Sequence, residues 1–163
     1  MRTLGCEPVD PLDGHASAAD GQATNRNSRQ RLGALVVDDD HLVRVVLQLG
    51  LERAGYSVWI AFNGREGVHL YRKHQDLIDV VLLDLCMPVM DGPTTLDELI
   101  GINREVRVCI MSGDLGDHDT EDLRRRGAAC FIAKPFRLYE LIDLLESFAP
   151  RVAPLPRGDP DSG

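Results

Sequence analysis

The sequence predicts one α/β domain, in which helices cover both faces of a five-stranded parallel sheet. Short aliphatic runs alternate along the chain with segments of helical periodicity, an alternation typical of βαβ units. The run at residues 80–83 has four aliphatic residues and no polar alternation, which indicates a strand buried on both faces. With 163 residues, 44% of them hydrophobic, the chain has room for one such domain and little more.

Each predicted strand is followed by a predicted helix. The strands cover residues 34–37, 57–62, 79–84, 106–111 and 129–133. Four of the helices cover residues 41–54, 65–74, 93–102 and 138–148. Another helix is predicted to begin at a cap formed by Asp117 or Asp119 and to end at Gly127.

The first helix has two stripes with helical spacing. The apolar stripe is predicted to face the sheet and consists of Leu42, Val45, Val46 and Leu49. The polar stripe, predicted to face solvent, consists of Arg44, Gln48 and Glu52. Asp40 is expected to cap this helix.

Right-handed crossovers would join the strands into one doubly wound sheet, and the flavodoxin-like order 2-1-3-4-5 fits five strands best. Strands 1, 3, 4 and 5 are then neighbours, and each ends in polar groups. These groups are Asp38 and Asp39, Asp84, Ser112 and Lys134. Because ligands bind outside the carboxyl ends of such strands, we expect these side chains to share one crevice.

The composition of the two ends differs from that of the middle. Residues 1–31 are rich in Gly, Ala, Asp, Asn and Ser and are predicted to be a disordered N-terminal extension. Residues 150–163 contain four of the nine prolines and are predicted to be a flexible tail. The predicted domain is therefore residues 32–149, and the chain is expected to end before any DNA-binding or enzymatic domain.

Charge and cysteine content argue against several classes of protein. A net charge of −8 argues against direct DNA binding, which needs a basic face. No apolar run is long enough to cross a membrane. The four scattered cysteines are typical of reduced thiols, rather than of a zinc site or a disulfide framework, and so favour a cytoplasmic protein.

The predicted crevice combines residues suited to phosphoryl chemistry. Three carboxylates repel each other, and a hard divalent cation such as Mg²⁺ would relieve that repulsion. An ammonium and a hydroxyl could hold the oxygens of a phosphoryl group, and an Asp carboxylate can accept that group covalently. The sequence therefore predicts an Asp that is phosphorylated beside Mg²⁺.

The same residues carry a family resemblance. The motifs are Val37-Asp38-Asp39, Asp84 with Met87-Pro88 and Asp91-Gly92, Ser112, and Lys134-Pro135-Phe136. In this order they are similar to the receiver domain of two-component response regulators, a chemotaxis-regulator-like fold. The resemblance spans the whole predicted domain and implies a stand-alone, single-domain response regulator.

The resemblance implies roles for the site residues. Asp84 would receive a phosphoryl group from a phosphohistidine on a sensor histidine kinase or a histidine phosphotransfer protein. Mg²⁺ would be bound by Asp39, by Asp84, by the backbone carbonyl of Cys86 and, through water, by Asp38. Lys134 would pair with the phosphoryl oxygens. The protein would not be an enzyme but a phosphoacceptor that assists its own phosphorylation and dephosphorylation.

The resemblance also implies a conformational switch. Ser112 would move to hydrogen-bond the phosphoryl group, and Phe131 would rotate inward behind it. The bond between Lys134 and Pro135 would be cis. Helix 4, strand 5 and helix 5 would form the output face for a downstream partner, and phosphorylation could drive homodimerisation. Cys86 and Asp114 depart from common family choices and should alter the lifetime of the phosphoaspartate.

Two questions stay open at this point. The first is whether the protein is a switch that binds a partner or a relay that passes the phosphoryl group on, which the sequence does not separate.

The second is the class of function. Besides a signalling protein, the residues also fit a hydrolase similar to the haloacid-dehalogenase phosphatases, which also use Asp, Mg²⁺, Ser or Thr, and Lys. Their nucleophile opens an Asp-x-Asp motif usually followed by Thr or Val two residues on, where this chain has Leu42, and no cap domain is available. A receiver that no longer accepts phosphate is a third alternative.

Overall fold

Parallel strands and helices alternate along the part of the chain that the computed structural model describes, residues 31–113 and 120–148. The strands are β1 (Gly33–Val37), β2 (Ser57–Ala61), β3 (Val80–Asp84), β4 (Val108–Ser112) and β5 (Ala128–Ala133). The helices are α1 (His41–Arg53), α2 (Gly64–His74), α3 (Gly92–Ile102), α4 (Thr120–Arg126) and α5 (Leu138–Phe148). The predicted tail, Asp114, and the capping candidates Asp117 and Asp119 lie outside the described residues, as does the predicted N-terminal extension apart from Arg31.

The strands form one parallel sheet in the order β2-β1-β3-β4-β5, which confirms the predicted fold class and strand order. Val37 of β1 pairs with Leu83 of β3, and Asp84 pairs with Met111 of β4. Ser112, the last residue of β4, pairs with Ala133, the last residue of β5. The carboxyl ends of the four neighbouring strands β1, β3, β4 and β5 therefore lie at one edge of the sheet, at similar heights.

The two faces of the sheet carry separate cores. Adjacent residues of a buried strand point to opposite faces, so Leu83 joins one core and Leu82 the other. The core on the side of α2 and α3 also contains Tyr71 and Leu99, and Leu123 of α4 belongs to it. On the other side, α1 and α5 cover the sheet with Leu47, Leu51, Leu141 and Leu145. Because both faces are covered, the strands are almost fully apolar.

Helix caps follow three of the strand ends and fix how the chain leaves the sheet. Asp40 accepts hydrogen bonds from the backbone N–H groups of Leu42 and Val43 at 2.7 and 3.3 Å. At the start of α2, Asn63 accepts from the N–H of Glu66, and the Glu66 carboxylate accepts in turn from the N–H of Phe62. Asp91 caps α3 by accepting from the N–H of Thr94 at 2.9 Å. Each cap helps to fix the loop that leads from the sheet to its helix.

The predicted orientation of α1 is wrong. Leu42, Val45, Val46 and Leu49 are exposed by 37–72%, whereas Leu47, Gly50 and Leu51 are buried against the sheet and α5. Both sets have helical spacing, because α1 is apolar around most of its circumference, so periodicity alone could not choose between them. Gly50 favours the observed orientation, since a Cβ there would lie 2.2 Å from a side-chain carbon of Leu138. A strongly apolar face of α1 is consequently left in solvent.

None of the helices within residues 31–113 and 120–148 combines the length and hydropathy needed to cross a bilayer.

Candidate functional site

Three carboxylates meet at the shared edge of β1 and β3. Asp38 and Asp39 directly follow β1, and Asp84 is the last residue of β3. One oxygen from each carboxylate lies within 4.8 Å of the others. Asp38 is fully buried and Asp84 is 6% exposed, whereas Asp39 is exposed. The structure thus brings together the three acidic residues that the strand order predicts to be neighbours.

Lys134, directly after β5, bridges two of these acids. Its Nζ donates to Asp38 Oδ2 at 2.6 Å and to Asp84 Oδ1 at 2.7 Å. The peptide bond between Lys134 and Pro135 is cis, as the resemblance implies, and the N–H of Lys134 donates to the carbonyl of Ser112 at 2.7 Å. The lysine therefore reaches the acidic cluster from the end of β5, the edge strand two positions away from β3.

Burial and charge shift the pKa values of Asp84 and Lys134. Burial raises the pKa of Asp84 above its usual range, and the charge of Asp38 adds to the rise, while the hydrogen bond and charge of Lys134 oppose it. Burial alone would lower the pKa of the Lys134 ammonium, but its bonds to the two carboxylates outweigh that effect and raise it. Lys134 is hence a permanent cation at neutral pH.

The loop after β3 is held close to Asp84. The N–H of Cys86 donates to Asp84 Oδ2 at 3.0 Å, and the N–H of Gly92 donates to the carbonyl of Leu85 at 2.9 Å. A Cβ on Gly92 would lie 2.7 Å from the carbonyl oxygen of Asp84, so glycine permits this close approach. Asp91 and Gly92 shape the turn from β3 into α3, Asp91 as the cap of α3 and Gly92 as its first residue. A metal-binding role for the Cys86 carbonyl stays a prediction.

The two residues predicted to act as a switch lie on β4 and β5. Ser112 is 2% exposed and pairs with Ala133, the residue before Lys134. Phe131 is half-buried, packs against the core on the α2 and α3 side, and has the Arg124 guanidinium 5.3 Å from its ring centre. Ser112 therefore borders the site, whereas the movements of Ser112 and Phe131 stay predictions.

Arg44 contacts the site, although it was predicted to face solvent. Its guanidinium Nη1 donates to the backbone carbonyl of Asp38 at 2.7 Å, and the side chain is half-buried. The polar stripe prediction is wrong at this position because the orientation of α1 differs from the expected one. The position of Arg44 one turn after Asp40 was the available signal, since a long side chain there can reach back to the strand end.

The donor set fits Mg²⁺. Carboxylate oxygens are the ligands that this ion prefers, and a site with few protein ligands leaves room for the waters that it retains. Asp39, which is exposed, and Asp84 offer such oxygens beside the fully buried Asp38. The cluster is compatible with magnesium binding.

An apolar cavity lies beside the acidic cluster. It has a volume of about 460 Å³ and is lined by Leu42, Val43, Val46, Leu47, Pro135 and Phe136, with Lys134 at its border. The exposed face of α1 continues from this cavity through Val45 and Leu49. The candidate site thus opens next to a large apolar surface.

Comparison with known proteins agrees with the fold. Residues 34–146 match the response regulator receiver domain family. Sporulation initiation phosphotransferase F of Bacillus subtilis is 32% identical over 117 residues, which cover 71% of this chain and 92% of that protein. The transcriptional regulatory protein PrrA of Mycobacterium tuberculosis is 34% identical over 66% of this chain, but this match spans only 46% of PrrA.

A solved structure supports the same assignment. The CheX–CheY–BeF3–Mg²⁺ complex of Borrelia burgdorferi contains a chain with a TM-score of 0.68 and 30% identity, over 71% of this chain and 87% of that one. The family match covers every strand and helix described here except for the ends of the first and last elements. The chain belongs to the response regulator receiver domain family of two-component systems.

Proposed function

We propose that Asp84 accepts a phosphoryl group from a phosphohistidine, in a reaction that depends on Mg²⁺. The observation that carries this proposal is the contact of Lys134 Nζ with both Asp38 and Asp84, at 2.6 and 2.7 Å, inside a cluster of three carboxylates. The Asp84 carboxylate, which is nearly buried, thus has the Lys134 ammonium on one side and two further carboxylates, suited to hold a cation, beside it. Transfer of a charged group to that carboxylate needs this neutralisation.

In the proposed reaction, a carboxylate oxygen of Asp84 attacks the phosphorus of the phosphohistidine. The new P–O bond forms as the P–N bond breaks, and the imidazole nitrogen keeps the electron pair of that bond. Lys134 stays protonated. Its ammonium group can break its contact with the Asp84 carboxylate and pair with the phosphoryl oxygens. Mg²⁺, held by Asp39 and Asp84 and through water by Asp38, would supply positive charge to the same oxygens.

The exposed face of α1 supports a protein donor rather than a small molecule alone. Leu42, Val45, Val46 and Leu49 repeat at the spacing with which one helix packs against others. The face is continuous with the cavity at Lys134 and Phe136, so a helix docked there would lie beside the site. We propose that a helical partner presents its phosphohistidine from this surface, as a sensor histidine kinase or a histidine phosphotransfer protein would.

The docking proposal has a direct test. Val46→Ser should slow transfer from a phosphorylated histidine phosphotransfer domain by about tenfold, since it removes a central apolar contact. Phosphorylation by acetyl phosphate, which needs no docking, should be unchanged. Phe62→Ser is the matched control, because Phe62 is 56% exposed but directly follows the edge strand β2 and is not part of α1. Equal slowing by both substitutions would contradict the proposed surface.

After phosphorylation, α4, β5 and α5 are proposed to form the output face. Phosphorylation adds nearly two negative charges beside Ser112 and Lys134, at the ends of β4 and β5. The protein would then bind a partner as a single-domain regulator or relay the phosphoryl group. Transfer from phosphorylated Asp84 to a second histidine protein would support the relay, and partner binding that Asp84→Asn abolishes would support the switch. A phosphorylation-dependent homodimer is a further form of the switch.

Intact mass spectrometry tests the proposal. Incubation with acetyl phosphate and Mg²⁺ should add one phosphoryl group. No group should be added when a chelator removes Mg²⁺, or when the Asp84→Asn variant is used. Full labelling of Asp84→Asn would contradict the site. The protein is proposed to be a phosphoacceptor that assists its own phosphorylation and dephosphorylation, so sustained turnover of a phosphate ester would instead favour a hydrolase similar to the haloacid-dehalogenase phosphatases.

A further inference from the structure

The backbone that leads from β1 into the acidic cluster is held by a side chain from α1. Strand pairing between β1 and β3 ends at Val37, so the carbonyl of Asp38 lies beyond that ladder. That carbonyl accepts a hydrogen bond from Nη1 of Arg44 at 2.7 Å. The bond joins residues six apart in sequence and crosses the loop that carries both Asp38 and Asp39.

The position of this bond matters for Asp39. The carbonyl of Asp38 and the N–H of Asp39 belong to one planar peptide unit, so fixing the carbonyl also fixes the N–Cα bond of Asp39 in direction. Asp38 is held independently through its carboxylate, which contacts Lys134 and the N–H of Asp40 at 2.6 and 2.8 Å. Within residues 31–113 and 120–148, the carboxylate of Asp39 has no hydrogen bond, and it is exposed. The peptide unit between Asp38 and Asp39 therefore limits where the Asp39 side chain begins, and so which positions its carboxylate can reach.

We propose that Arg44 is a positioning residue for the metal site. Through the carbonyl of Asp38, it holds the peptide unit from which the Asp39 side chain extends, and so keeps the Asp39 carboxylate within reach of Asp38 and Asp84. Arg44 acts on the backbone and does not itself bind the metal. This inference rests on the proposed function, since it assigns Arg44 to the Mg²⁺ site that phosphorylation of Asp84 would use.

A purely electrostatic role for Arg44 predicts the opposite result. A guanidinium near three carboxylates repels a divalent cation, so removing its charge would tighten Mg²⁺ binding. Loss of positioning would weaken binding, because the Asp39 carboxylate would sample directions away from the cluster. The direction of the change in Mg²⁺ affinity therefore separates the two roles.

Titration calorimetry with Mg²⁺ alone measures this affinity. We expect Arg44→Met and Arg44→Gln to raise the Kd by about five- to tenfold, as loss of a hydrogen bond from a charged donor would. Arg44→Lys, which keeps a donor and the charge, should stay within about threefold of wild type. Arg53→Met is the matched control, since Arg53 is exposed in the last turn of α1, and its Kd should be unchanged.

A metal-free readout accompanies the titration. In the protein without Mg²⁺, the backbone amide resonance of Asp39 should shift in Arg44→Met and Arg44→Gln and return towards its wild-type position in Arg44→Lys. Urea unfolding should show that all three Arg44 variants are folded. If Arg44→Met does not fold, Arg44→Gln provides the test in its place. An unchanged or lower Kd in the folded variants would overturn the positioning role.

The design also separates this inference from the proposed function. If wild-type protein binds Mg²⁺ and is phosphorylated, while the Arg44 variants bind Mg²⁺ as tightly, only the role of Arg44 is overturned. If wild-type protein binds no Mg²⁺, the proposed function fails and the inference fails with it.

Discussion

Lys134→Met should destabilise the protein strongly, because it removes the ammonium group that lies between the buried carboxylates of Asp38 and Asp84. The side chains of Asp38 and Asp84 are only 1% and 9% exposed. One carboxylate oxygen of Asp38 lies within 4.8 Å of one carboxylate oxygen of Asp84. Coulomb's law gives a repulsion of about 3.5 kcal/mol at such a distance, with an effective dielectric constant of about 20. Loss of one partner of a buried ion pair typically costs about 3–5 kcal/mol. We therefore expect the free energy of unfolding to fall by about 3–4 kcal/mol.

The loss should depend on pH in a defined direction. Burial already raises the pKa of Asp84 above its unfolded value in the wild-type protein. Without the ammonium, which opposes that rise, the folded-state pKa should rise further. A carboxyl group with a raised folded-state pKa destabilises the fold above that pKa, and the penalty disappears as the pH falls through it. Lys134→Met should hence recover stability relative to wild type as the pH falls from the raised folded-state pKa of Asp84 towards its unfolded-state value.

Urea unfolding, followed by circular dichroism, measures both effects. The control is Lys73→Met, because Lys73 is the other lysine of the chain and is exposed on α2. A given Mg²⁺ concentration should stabilise Lys134→Met more than wild type, since the cation replaces the missing positive charge. Equal losses for the two Met variants, or a loss unaffected by pH and Mg²⁺, would refute this account of the cluster.

Three further predictions concern single residues near the site. Asp84→Asn should raise the metal-free unfolding free energy by about 1 kcal/mol, because it removes a carboxylate that burial disfavours; a lower value in urea unfolding would contradict this. Gly92→Ala should cost about 2–3 kcal/mol, since its Cβ would lie 2.6 Å from the Cα of Leu85. Gly101→Ala on the same helix meets nothing within 4 Å and should gain about 0.5–1 kcal/mol, and thermal unfolding of both variants should show opposite signs. Val89→Gly should raise the melting temperature, because Val89 has a φ of 74°, where a β-branched residue is strained by about 1–3 kcal/mol; an unchanged or lower temperature would argue against that strain.

The strand-end residues could be predicted because the sheet itself brings them together. Buried parallel strands have a strong sequence signal, and the order 2-1-3-4-5 makes four of them neighbours. Asp38, Asp84, Ser112 and Lys134 each end or follow such a strand, so their proximity follows from topology without knowledge of any side-chain contact. The cap Asp40 was an equally local signal, because its side chain and its N–H partners are within three residues of each other. The same local signal at Asp91, which caps α3, was missed.

The orientation of α1 could not be predicted, because it depends on long-range packing. Leu42 and Leu47 belong to two apolar stripes that periodicity ranks equally, and the close approach of Gly50 to Leu138 helps to decide between them. The contact of Arg44 with Asp38 follows from the same orientation. Hydrophobic residues on the exposed stripe are costly to leave in water, which is why we associate that face with a partner rather than with the core.

Chemical trapping of the phosphorylated residue tests the central claim most directly. After reaction with acetyl phosphate and Mg²⁺, borohydride reduces an aspartyl phosphate to homoserine, and peptide mass spectrometry then locates it. We predict homoserine in place of Asp84 and at no other aspartate, with none formed when Mg²⁺ is chelated. Homoserine at Asp38 or Asp39, or no reduction product in protein that carries the added phosphoryl mass, would contradict the assignment of Asp84 as the acceptor.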